Sequence, residues 1–129
     1  MDEVLKLMGL ALRAKGLVAG EEVVADAVSA HRARLLLLAA DTGEGTARKT
    51  RNLAGERIPV LTLPADKAAV GAALGKASCA VSAVTEAGFA ARIAALLAQG
   101  DPAYRETAEK LAQKQAKRLR RKKEKPRKK

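Results

Sequence analysis

The stretch Arg13-Ala14-Lys15-Gly16-Leu17-Val18-Ala19-Gly20-Glu21-Glu22 sets two cations at the end of one helical pattern and a glycine at the start of another. A helix N-terminus offers free backbone N–H groups and positive partial charge, both suited to a phosphate. Gly20 lets another backbone approach closely. Glu21 would repel a phosphate, yet it can accept hydrogen bonds from the amino groups of guanine or cytosine. The same residues also fit a plain glycine turn, with an acidic first helical turn that suits the macrodipole.

No set of residues meets the needs of catalysis. His31 has no Ser, Cys or second His at a motif spacing and reads as a surface residue. Cys79 is the only cysteine, so an intramolecular disulfide and a Cys/His zinc cluster are both excluded. Gly71 to Ala77 (GAALGKA) is one residue short of a phosphate loop and carries Ala77 where a hydroxyl would hold magnesium. Asp41-Thr42-Gly43-Glu44-Gly45 lacks the spacing of a dinucleotide turn. A non-enzyme is expected, with no cofactor and no metal.

The charge is uneven. Residues 1–102 hold 12 Lys/Arg and 11 Asp/Glu, net +1, whereas residues 103–129 hold 13 Lys/Arg and 3 Glu, net +10. So dense a cationic block repels itself unless an anionic polymer or surface neutralises it. Nucleic acid is the commonest such partner, and an anionic membrane is the rival. With one Phe, one Tyr and no Trp, the chain lacks the aromatic platforms on which single-strand readers stack bases. The N-terminal residues carry no signal-peptide pattern, and no apolar run approaches a membrane span. A cytoplasmic chain is expected.

Those residues must be positioned by alternating strands and helices. Asp2 caps a first helix with Val4, Leu5, Met8 and Leu12 at helical spacing, and Gly16 ends it. Leu17–Ala19 is a short strand, and Gly20 opens a helix with Val23, Val24, Ala27 and Val28 on one face. Leu35–Ala39 reads as a strand covered on both faces. A loop over residues 41–45 leads to a helix bearing Arg48, Lys49 and Arg51, which form a phosphate face or a merely solvated one. Ile58–Leu63 is an edge strand, Asp66–Leu74 a helix stopped at Gly75, and Cys79–Val84 a strand. Thr85 caps a helix over Glu86–Gln99, with Gly100 as its stop. The fold class is α/β with helices on both sheet faces. Asp101-Pro102 then restarts a helix with a thin apolar stripe of Tyr104, Ala108, Leu111 and Leu119, marginal on its own. The end beyond Lys122 is a charge run broken by Pro126, and disorder is expected there.

Four stretches in order, MGLALRAKGLVAGEEVV (Met8–Val24), ARLLLLAADTGEGTARKT (Ala33–Thr50), IPVLTL (Ile58–Leu63) and LGKASCAVSAVTEAGFAARI (Leu74–Ile93), resemble the ribosomal protein 7Ae superfamily, particularly its bacterial YlxQ-type branch. The resemblance implies a three-layer α/β/α sandwich around a four-stranded mixed sheet. It also implies recognition of kink-turn or related internal-loop RNA. The family's Gly-Asn-Glu segment, with a Lys three residues after its Glu, falls on Ala19, Gly20, Glu21 and Val24, where only the Glu is retained. Lys15 and Gly16 match the approach loop. The family loop that packs against flipped bases falls on Lys76, Ala77, Ser78, Cys79 and Ala80.

The expectation is therefore an RNA-binding protein of the ribosome or its assembly. Residues 1–100 form the RNA-binding domain, with contacts at Lys15, Gly16, Gly20, Glu21 and Lys76 to Cys79. Residues 101–129 form a helical or disordered basic tail that grips phosphates through Lys114, Lys117, Arg118, Arg120, Arg121, Lys122 and Lys123, with Arg105 and Lys110 on the same segment. RNA, and beyond it ribosomal proteins, are the expected partners of a chain that is monomeric when free and makes no membrane contact. The alternative is a protein-interaction adaptor whose tail binds nucleic acid non-specifically.

Overall fold

In a computed structural model the chain is described over residues 1–124, with side chains through Arg121. Of the charge run beyond Lys122 where disorder was expected, the backbone of residues 123–124 instead continues the last helix, and residues 125–129 lie outside the described residues. Four strands, β1 (Leu17–Ala19), β2 (Leu35–Leu38), β3 (Val60–Thr62) and β4 (Val81–Val84), form one sheet in the order β1-β4-β2-β3. β4 runs antiparallel to both β1 and β2, while β2 and β3 are parallel. The helices are α1 (Asp2–Arg13), α2 (Glu21–Ser29), α3 (Glu44–Ala54), α4 (Lys67–Leu74), α5 (Ala87–Gly100) and α6 (Arg105–Glu124).

The four leucines of β2 explain the layering. Successive strand side chains point to opposite faces, and each of the four is at most 1% exposed. Leu35 and Leu37 enter the core shared with Met8, Val70, Ile93 and Leu97 of α1, α4 and α5. Leu36 and Leu38 meet Val24, Val28 and Ala54 of α2 and α3 on the other face. The result is a three-layer α/β/α sandwich around a mixed sheet, as the family resemblance implied, with helices on both sheet faces as the element order predicted.

Several boundaries differ from expectation, for local reasons. Lys15, not Gly16, takes the left-handed turn after α1, with φ 63°. Gly16 instead packs against α5, where a Cβ would stand 2.9 Å from Cδ2 of Phe89 and 3.1 Å from Cβ of Glu86. Asp2 lies in the first turn of α1, after an N-cap at Met1. Val23 points outward at 46% exposure, leaving Val24, Ala27 and Val28 as the buried face of α2. Cys79 and Ala80 precede β4, and Ile58-Pro59 precede β3. Thr85 is not the cap of α5; its backbone N–H donates to the Gly16 carbonyl (2.9 Å), extending the pairing of β4 with the segment before β1. Glu86 caps instead, its carboxylate accepting from the N–H groups of Gly88 and Phe89 at 2.9 Å each. α5 also runs through Gly100 to a C-cap at Asp101.

The C-terminal helix is not alone in solvent. Asp101 caps a single 3-10 turn at Pro102–Tyr104, accepting from Ala103 N–H at 2.9 Å. The Tyr104 hydroxyl donates to the Thr62 carbonyl of β3. Ala108 and Leu111 of α6 are buried in the α1/α4/α5 core. Beyond Leu111 the described side chains are exposed except for a half-buried Gln115, and Leu119 is 55% exposed. None of the described helices is long and apolar enough to cross a membrane.

Candidate nucleic-acid interface

One end of the sheet brings together the start of α2 and the loop before β4. Gly20 is the N-cap of α2, with φ 111° and ψ 147°. An L-residue rarely adopts that conformation, so glycine is required there. The Gly20 N–H donates to the Val81 carbonyl (3.0 Å), which ties the start of α2 to the start of β4. No side chain caps α2, and no atom lies within 4 Å of where a Gly20 Cβ would be. The first-turn N–H groups of α2 therefore face an open approach. Glu21 and Glu22 are exposed beside them.

The opposing loop is held from three directions. Lys76 N–H donates to the Gly71 carbonyl (2.7 Å), and Cys79 N–H donates to the Lys67 carbonyl (3.0 Å). Gly71 lets the loop lie against α4, since a Cβ there would stand 2.6 Å from the Ser78 Cα. The Cys79 thiol, buried, donates to the Val81 carbonyl at 3.3 Å. Burial pushes that thiol above its ordinary value of 9.0, against the opposing pull of the Lys76 charge. Lys76, Ala77 and Ser78 are exposed. The exposed rim is polar and small, and Cys79 serves it from beneath.

Asp41 and Thr42, which the sequence marks only as loop residues, both brace this end. The Thr42 hydroxyl donates to the Ala39 carbonyl (2.7 Å) and lies 3.3 Å from the Ala80 carbonyl. The Asp41 carboxylate accepts from Lys67 N–H at 2.8 Å. An Asp-Thr pair just after a buried strand is the available signal, because both side chains readily bond nearby backbone.

The structure does not bring Lys15 and Gly16 to this end. Leu17 pairs with Val84 and Ala19 with Ser82, so the three residues of β1 separate Gly16 from Gly20. That separation, four residue steps, is roughly 13 Å along the strand. Lys15 is exposed and Gly16 is buried.

Of the α3 cations, Lys49 lines a cavity of about 190 Å³ between α2 and α3 that Glu21 and Glu22 also line. Arg48 and Arg51 border a shallower depression beside Glu44. The tail cations Lys114, Lys117, Arg118, Arg120 and Arg121 are exposed on α6, and the backbone of Lys122 and Lys123 continues that helix. Lys110 pairs with Glu106 at 3.5 Å. Among the described residues no group of three His, Cys, Asp or Glu could hold a metal ion.

Comparison with known proteins agrees with this architecture. Residues 2–94 match the model of the ribosomal protein L7Ae/L30e/S12e/Gadd45 family. The chain is 36% identical over 92 residues to RNA-binding protein YlxQ of Bacillus subtilis (strain 168), which covers 70% of this chain and 91% of that protein. A solved structure of a protein with unknown function from Bacillus halodurans C superposes with a TM-score of 0.69 at 37% identity, covering 74% of this chain and 97% of the other. The basic helix α6 lies beyond the family match.

Proposed function

Because the chain belongs to the ribosomal protein L7Ae/L30e/S12e/Gadd45 family, we propose that it is a non-enzymatic RNA-binding protein that recognises a kink-turn or related bent RNA, in association with the ribosome or its assembly. The observation that carries this reading is the juxtaposition of the uncapped start of α2, open at Gly20, with the exposed loop Lys76–Ser78. Bent RNA presents phosphates beside unstacked base edges. Here free N–H groups suit the phosphate, and the Glu21 carboxylate suits amino groups on a base. Lys76 adds a cation to the rim, while Cys79 holds the loop in place. That a relative 36% identical to this chain bears the name RNA-binding protein supports the same class of ligand.

Two labours are divided in this reading. Residues 1–100, net almost neutral, choose the RNA by shape. Residues 101–129 supply affinity without sequence choice by pairing cations with phosphates. Lys15 and Gly16 stand away from the edge at Gly20, and Gly16 serves by packing on Phe89.

The test uses the full chain, because α6 contributes Leu111 to the core. Binding is measured to a kink-turn RNA, its unkinked mutant and a plain duplex. The kinked RNA binds tightest, and Glu21→Gln reduces that preference. In Lys117→Gln/Arg120→Gln/Arg121→Gln the preference persists, while the slope of log affinity against log salt flattens by about 2 to 3. Equal affinity of the native chain for all three RNAs refutes shape recognition.

A further inference from the structure

At the other end of the sheet, five basic side chains from separate parts of the chain converge on one cleft. A cavity of about 190 Å³ is lined by His31 and Arg34 before β2, Arg57 before β3, and Lys114 and Arg118 of α6. Its floor is apolar, with Val28, Ile58 and Leu111. All five basic residues are exposed. None of the residues lining the cleft is acidic. Among the described residues, none of its Arg or Lys is within 4.0 Å of a carboxylate. The contrast with the α2–α3 cavity, where Lys49 shares the lining with Glu21 and Glu22, is direct.

From this geometry we infer that the cleft is a second RNA contact, in which backbone phosphates bind between the body (Arg34, Arg57) and the basic helix (Lys114, Arg118). Fixed cations gathered without acids repel one another and favour a bound polyanion. Guanidinium groups suit phosphate oxygens, which they can bond in pairs. The occupant is an RNA strand rather than a small free anion because the cationic row does not stop at the cleft. Lys114, Arg118 and Arg121 recur at helical spacing along one face of α6 and continue the row outward. The Lys15 backbone also lies at this end of the sheet, beside the Gly16–Thr85 hydrogen bond. The tail is thus half of a site whose other half belongs to the α/β body. This inference rests on the RNA-binding reading, but it names a surface at the end of the sheet away from Gly20.

The experiment compares a minimal kink-turn with one whose helical arm is extended by about two turns, using the full chain and Arg34→Gln/Arg57→Gln. The variant binds the minimal RNA as the native chain does. On the extended RNA its salt slope is shallower by about 1.8, the equivalent of two phosphates. Raising salt from about 50 to 200 mM then weakens the native chain about twelvefold more than the variant. Arg34→Lys/Arg57→Lys restores most of the slope, and unchanged thermal melting shows that the fold is intact. Inorganic phosphate or a nucleoside monophosphate at millimolar concentration leaves the extended-arm affinity unchanged beyond its ionic-strength effect. Equal slopes for native and variant chains overturn the inference while leaving the kink-turn reading intact. Selective competition by the small anions also overturns it, in favour of a small-anion site. A native chain that binds neither RNA overturns both readings.

Discussion

Two glycines hold positions that composition alone would not single out. At Gly71 a Cβ would meet backbone, the Ser78 Cα at 2.6 Å and the Ser78 N at 2.8 Å. At Gly16 it would meet the Phe89 ring edge and the Glu86 Cβ, and a ring edge can yield a little. Gly71→Ala should therefore cost about 1–3 kcal/mol and displace the Lys76–Cys79 loop, with Gly16→Ala at the lower end of that range. Thermal unfolding of the two variants checks the ranking. Cys79 makes a different prediction. Its folded thiol is raised above 9.0 by burial, so its contribution to stability is complete below that value. The contribution is lost as pH rises through the higher folded value, because the unfolded thiol ionises first. Stability should thus fall at alkaline pH in the native chain, and less so in Cys79→Ala. A sequence shows such residues only as small side chains, since what makes them necessary is a packing neighbour that the fold brings against them.

At the scale of elements, the sheet was legible where burial is uniform. Leu35–Leu38 reads as a two-faced strand because nothing polar interrupts it, and the structure buries all four. The start of β4 was not, because the small, mostly apolar run from Cys79 continues through a loop whose hydrogen bonds go to α4 and to Val81. Thr85 and Glu86 are both competent caps. The structure seats Glu86 at the N-cap, while Thr85 continues the pairing toward β1 through its N–H bond to the Gly16 carbonyl. Strand β1 explains why Lys15 stands away from Gly20: closeness in sequence becomes separation once three extended residues lie between Gly16 and Gly20. The α6 helix carries the sharpest test at this scale. Leu111→Ala should destabilise the protein by about 2–3 kcal/mol, as expected for a leucine 5% exposed. Leu119→Ala, at 55% exposure, should stay within about 0.5 kcal/mol. Melting curves that respond equally would contradict the docking of α6 described above.

For the whole molecule, charge and shape occupy different regions but are not independent. The near-neutral body carries the edge at Gly20, and the net charge of +10 sits in residues 103–129. That imbalance was plain in the sequence. The cleft was not, because His31, Arg34, Arg57, Lys114 and Arg118 come from three segments that only the fold assembles. Neutralising Lys117, Arg120 and Arg121 should accordingly leave the melting temperature unchanged, since all three are exposed, while slowing RNA association most at low salt. Stopped-flow association at several salt concentrations measures the second effect. In the proposed reading, charge on α6 sets the speed of encounter with RNA, and the buried turn at Leu111 sets where that charge is held.

Tyr104 gives this arrangement an optical signature. The chain contains one tyrosine and no tryptophan, so its intrinsic ultraviolet emission originates at the joint between α5 and the basic helix. There the phenol donates to the Thr62 carbonyl, and burial, with the Asp101 charge, raises its ionisation above 10.0. Seating or release of the helix alters both the emission and the alkaline absorbance titration of that single chromophore. The protein therefore carries its own label at the junction between its neutral and cationic parts.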